Sequence, residues 1–154
     1  MNLLRNCIFF TSNTTLTAAE NVQLALDVRG EQGRKAIEKT EEVLASVGLA
    51  SKMASFPHQL SGGEQQRVAI ARAIVAEPSA ILADEPTAAL DSANGQTTMT
   101  ILSRIAKERD RAVLVVTHDP RLFGFADRII YIEDGSLTRE ELSEPKSTKA
   151  QQQF

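Results

Sequence analysis

Two hydrophobic patterns alternate along the chain. Residues 79–84 (SAILAD), 112–119 (AVLVVTHD) and 127–135 (DRIIYIEDG) contain short apolar runs closed by charged or turn residues, the pattern of buried strands. CIFF at residues 7–10 is a shorter run of the same kind. Between these runs the apolar residues spread to helical spacing. Thr17 and Glu20 stand as a capping box and predict a helix from Ala18 to about Val28, stopping near Gly30. A second helix fits residues 34–47, with Ile37, Val43, Leu44 and Val47 on its apolar face and Gly48 at its stop. Residues 50–60, with Pro57, read as a loop. A third helix fits 62–76 and ends before Pro78. A fourth fits 94–109, with Met99, Ile101, Leu102 and Ile105 apolar. Strand 112–119 is expected to be buried on both faces. Helices alternating with continuous apolar strands predict an α/β domain with a parallel sheet, whose chemistry belongs at the carboxyl ends of the strands. The polar stretch 138–154 is expected to be a disordered tail.

Composition narrows the picture in three ways. The formal net charge of −3 offers no electrostatic reason to expect nucleic acid and no polybasic membrane anchor. A single cysteine, Cys7, permits no intrachain disulfide and fits a reducing compartment. The opening MNLLRNCIFFTSN is interrupted by Asn2, Arg5 and Asn6, and no segment approaches the ~20 apolar residues of a membrane span. Any membrane association is therefore expected to run through a partner.

Three local features carry candidate chemistry. In LSGGEQQR, Ser61 and Glu64 form a capping box, which by itself needs no function. The intervening Gly62 and Gly63 are a poor choice for a helix, costing about 1 kcal/mol each against alanine. They leave bare N–H groups at the positive end of the helix dipole, a surface suited to phosphate. In ILADEP, a strand ends on Asp84 and Glu85, which suit a water-mediated Mg²⁺ contact and a base for an attacking water, or else a solvated acidic loop. His118 closes the run AVLVVT, as a satisfied strand-end histidine or as a donor to developing phosphate charge.

The order and spacing of these features resemble those of ABC transporter ATPases. LSGGEQQRVAIARAIVAEPSAILADEPTAALD is similar to their run from signature motif through Walker B to D-loop, and VLVVTHDPR to their switch-histidine segment. FADRIIYIEDGSL resembles the strand and hairpin that follow, and PHQLSGG and LTAAENVQLAL the stretches before the signature. The likeness covers residues 7–138 and is nearest to exporters of heterocyst glycolipids, lipoproteins and macrolides. It implies a partial P-loop NTPase (RecA-like) sheet with an ABC helical subdomain. Residues 1–137 would form an incomplete nucleotide-binding domain, with 15–76 its helical and signature part and 77–137 running from Walker B past the switch. It implies ATP and Mg²⁺ as cofactors. Ser61, Gly62, Gly63 and Glu64 would contact ATP held by the second subunit of a head-to-tail dimer. Asp84 would hold Mg²⁺ through water, Glu85 would be the catalytic base, His118 would touch the γ-phosphate and Asp91 would lie in the dimer seam. Transmembrane permease subunits would complete the assembly, at the cytoplasmic face of the membrane. Residue 64 is often Gln in this family, so Glu64 departs from its pattern.

One expected motif is missing from the 154 residues. None of the eight glycines precedes a lysine, so G-x-x-x-x-G-K-[ST] does not occur. The family's Q-loop glutamine would fall near the end of CIFF, where Phe10 stands. In the family's sheet the P-loop strand lies beside the switch-histidine strand, so its loss is expected to leave that strand short of a neighbour and the chain marginal or aggregation-prone. Three readings follow: a truncated ATPase subunit inactive alone, a non-catalytic partner lending its signature motif in trans, or a DNA-repair relative. The absence of coiled-coil heptads between the motifs argues against the last.

Overall fold

A computed structural model of the chain describes residues 7–8, 13–108 and 111–143. They fall into two compact units, divided between His118 and Asp119.

In the first unit, a parallel sheet runs in the order β1 (Cys7–Ile8), β2 (Ala80–Asp84), β3 (Ala112–Val116). Helices α1 (Ala18–Asp27), α2 (Arg34–Ser46) and α3 (Gly62–Ile74) lie between β1 and β2 in sequence, and α4 (Ser92–Glu108) lies between β2 and β3. This is the helix-and-strand alternation that the hydrophobic pattern predicts. Helices α1 and α2 pack against each other and against α3, and α3 packs against α4. Val22, Leu26, Leu44, Leu49, Val68, Ile70, Ile81 and Leu102 are fully buried or nearly so.

The helix ends are closed by local chemistry. Thr17 caps α1 with the reciprocal Glu20 contact that the capping box predicts, the Thr17 N–H donating to Glu20 Oε2 at 2.7 Å. Asn21 is fully buried on α1 and ties down the preceding turn. Its Nδ2 donates to the carbonyls of Asn13, Leu16 and Thr17, and its Oδ1 accepts from the Asn13 N–H at 2.8 Å. Past α2 and α3, the orphan carbonyls of Ser46 and Ala76 accept from the guanidinium groups of Arg104 and Arg29.

Several expectations are corrected. The buried side of α2 is Ala36, Thr40, Leu44 and Val47, whereas Ile37 is exposed and Val43 half-buried. A threonine enters this stripe because its hydroxyl donates to the Ala36 carbonyl at 2.8 Å. Helix α3 ends at Ile74 instead of residue 76, and α4 begins two residues early, at Ser92. Strand β3 is not buried on both faces. Leu114 and Val116, on the same face as exposed Ala112, are 58% and 50% exposed, and among the described residues β3 pairs with β2 alone. Of the strand expected at 7–10, Cys7–Ile8 is formed, and Phe10 lies outside the described residues.

The second unit is a short 3-10 segment, Pro120–Phe125, followed by an antiparallel hairpin of β4 (Arg128–Glu133) and β5 (Ser136–Leu142). Asp134 and Gly135 make the turn, both with positive φ. The polar stretch is therefore a strand as far as Leu142 and not a tail from Thr138. Its polarity reflects two exposed faces: Arg128 pairs with Glu140 across the hairpin at 2.8 Å, and the Arg139 guanidinium lies 5.2 Å from the Tyr131 ring centre. The rest of the expected tail, from residue 144, lies outside the described residues.

Candidate functional site

The carboxyl edge of the sheet gathers one cluster. Register pairing sets Asp84 opposite Val116, so the residues that follow each strand meet. The Glu85 N–H extends the ladder by one bond, donating to the Val116 carbonyl at 2.9 Å. Glu85 then turns its side chain toward the end of β3 with a backbone φ of 45°, in the left-handed region. Its carboxylate is held on three sides. His118 Nδ1 lies 2.6 Å from Oε1, the His118 main-chain N–H donates to Oε1 at 3.1 Å, and the Thr117 hydroxyl donates to Oε2 at 3.3 Å. Against a carboxylate acceptor, Nδ1 carries the proton. The imidazole is 89% exposed, so Nε2 faces outward. Asp84 sits exposed at the same edge.

A second cluster forms at the N-terminus of α3. The Ser61 Oγ accepts from the Glu64 N–H at 3.2 Å, and Glu64 Oε2 accepts from the Ser61 N–H at 2.8 Å. The capping box is real, with the Ser61 main-chain N–H donating to the Glu64 carboxylate and the serine oxygen accepting from the Glu64 N–H. The N–H groups of Gly62 and Gly63 lie in the first turn, where a helix supplies no carbonyl partner. The main-chain N–H of Ser61 holds the Glu64 carboxyl below its ordinary value, with its hydroxyl and the Lys52 and Arg67 charges adding to the effect. Lys52 Nζ stands 3.7 Å from Glu64 Oε1. The preceding loop is fastened by Gln65, whose Nε2 donates to the carbonyls of Pro57 and Leu60.

Asp91 belongs beside this second cluster. Both its oxygens are engaged by Asn94, Oδ1 by the main-chain N–H at 2.9 Å and Oδ2 by the side-chain amide at 2.7 Å. These bonds, first that of the main chain, hold the Asp91 carboxyl below its ordinary value. Asp91 thus caps α4, a structural role the sequence reading omitted. The three-residue step from Asp91 to Asn94 at a helix start was the signal that could have found it.

The residues suit the expected ligands in kind. Mg²⁺ takes one or two carboxylate oxygens and completes its shell with water and phosphate, and exposed Asp84 is such a donor. Among the described residues no group of three or more His, Cys, Asp or Glu forms a metal cage.

The fold and these clusters define a class: parallel α/β proteins with paired acidic residues and a histidine at the sheet's carboxyl edge, and a helix opened by glycines. The ABC transporter family model matches residues 6–88. The lipoprotein-releasing system ATP-binding protein LolD of Bordetella pertussis is 46% identical over 121 residues, covering 79% of this chain and 52% of LolD. The macrolide export ATP-binding/permease protein MacB 1 of Escherichia coli is 43% identical over 124 residues, 80% of this chain and 19% of MacB 1. A dimeric structure of the ATP-binding cassette MJ0796 of Methanocaldococcus jannaschii, in a post-hydrolysis state bound to ADP and Pi, superposes with a TM-score of 0.77 at 41% identity, covering 89% of this chain and 62% of that one. The chain belongs to the ABC transporter ATP-binding family and within it resembles the lipoprotein-release and macrolide-export members. It spans about half the length of the LolD relative. No helix among the described residues is long and apolar enough to cross a membrane.

Proposed function

We propose that this chain supplies the signature helix, the Walker B carboxylates and the switch histidine of an ATP-hydrolysing subunit of an ABC exporter. The observation that carries the reading is the grip of His118 and Thr117 on Glu85 at the carboxyl edge of the sheet. A carboxylate oriented this way is fit to take a proton from an attacking water. His118, with Nδ1 committed to Glu85, has Nε2 left for the γ-phosphate, and bridging both groups requires a proton on each ring nitrogen. Asp84 would hold Mg²⁺ through water, and the bound ion would draw charge from the transferred phosphoryl group. Ser61, Gly62, Gly63 and Glu64 would meet ATP held by a second subunit, with Asp91 at the seam. Permease subunits would place the assembly at the cytoplasmic face of the membrane.

Within residues 1–154 no G-x-x-x-x-G-K-[ST] is available to cradle phosphates. These residues alone would therefore be inactive; in a second reading they serve an intact subunit as a non-catalytic partner that lends α3 in trans. Isothermal titration of the chain with Mg-ATP is expected to show no micromolar binding. Mixing it with an intact ABC ATPase whose own signature serine is changed to alanine is expected to restore turnover. Micromolar binding by the chain alone would overturn the division of labour, and failure to restore turnover would overturn the lending of α3.

A further inference from the structure

The two glycines that open α3 face the segment leading into α4, and they face it differently. A methyl group built on Gly62 would lie 3.7 Å from Leu90 Cδ2, an ordinary contact. A methyl on Gly63 would lie 2.3 Å from Asn94 Oδ1, 2.6 Å from its Cγ and 3.1 Å from its Cβ. Gly63 is buried, and Asn94 fills the space its missing side chain leaves. The same Asn94 amide donates to Asp91 Oδ2 at 2.7 Å. Bare backbone for phosphate explains both glycines equally; close approach of Asn94 explains only the second.

We propose that Asn94 is a positioning residue that couples the first turn of α3 to Asp91, with Gly63 as the socket that admits it. Turning the Asn94 side chain takes Oδ1 and Cγ away from a methyl at Gly63, with the Cβ contact at 3.1 Å relieved by a shift of a few tenths of an ångström, and turning it releases Asp91 Oδ2. The functional meaning rests on the reading above: a phosphate pressed against residues 61–64 and a partner chain met by Asp91 are then joined through one side chain.

The test is a ¹³C NMR titration of the Asp91 carboxyl in the full chain. In wild type and in Gly62→Ala the carboxyl titrates low, at the same pH. In Gly63→Ala its midpoint rises toward the ordinary aspartate value, though the Asn94 main-chain bond remains. Asn94→Ala produces the same rise while adding no atom, so it decides the matter even if Gly63→Ala does not fold. The double variant Gly63→Ala/Asn94→Ala matches Asn94→Ala, since the two changes act on one contact. An Asp91 midpoint unmoved in Asn94→Ala, or moved equally by Gly62→Ala and Gly63→Ala, would overturn the coupling. No nucleotide is present in these measurements, so loss of the proposed function leaves this result standing, and the reverse.

Discussion

Single residues carry the sharpest consequences. Glu85 is held by three donors, so Glu85→Gln preserves size while removing the proton acceptor. In an assembly that turns over ATP through this chain's site, it is expected to slow kcat by about 10²–10⁴-fold with little change in KM, read by steady-state kinetics. At the start of α3, Ser61→Ala removes the cap oxygen and is expected to lower stability by about 1 kcal/mol in chemical denaturation. Glu64 sets a pH dependence. Its folded carboxyl lies below its ordinary value of 4.5, so its contribution is full above that value and is lost as pH falls through the folded one. Denaturation midpoints followed from pH 6 to pH 3 should therefore fall less steeply in Glu64→Gln than in wild type.

At the scale of elements, local signals were legible where they concerned one segment and its neighbours in sequence. The Thr17–Glu20 and Ser61–Glu64 boxes place the starts of α1 and α3, since capping depends on four consecutive residues. The apolar run of β2 was equally plain. What escaped was settled by contacts between segments. The α2 stripe goes through Ala36 and Thr40, the threonine hydroxyl being satisfied by the Ala36 carbonyl, and no apolar count ranks a threonine above Ile37. Asn21, polar and fully buried, is explained only by the three carbonyls around it. The interior of α3 offers a direct measure of that packing. Ile70 is fully buried, and Ile70→Ala is expected to cost about 2–5 kcal/mol by urea denaturation. Val116, exposed at the end of β3, should tolerate alanine at a small fraction of that.

For the whole molecule, the exposed flank of β3 matters most. Leu114 and Val116 lie on a strand paired on one side among the described residues, a template for adding a strand from another chain. The 154-residue chain alone is expected to aggregate as its concentration rises. Replacing both residues by threonine, a β-branched residue suited to a strand, should reduce light scattering without changing the far-UV circular dichroism. The site clusters were readable at this scale through motif order, which tracks where strands end. A continuous apolar run looks the same whether or not its neighbour is supplied, and it was the absence of the P-loop motif that pointed to a β3 short of one.

The backbone at Glu85 has a consequence for which residue folding alone would choose. With φ at 45°, any side chain there crowds its own main chain, and only glycine is free of that cost. Comparing Glu85→Gly with Glu85→Ala removes the carboxylate equally from both, so the difference isolates the backbone. Glycine is expected to be the more stable by about 1 kcal/mol, the reverse of the usual order in regular structure. The backbone and the carboxylate therefore pull this position in opposite directions. The backbone alone favours glycine at residue 85, and what Glu85 sets against that is the bonds its carboxylate accepts from Thr117 and His118.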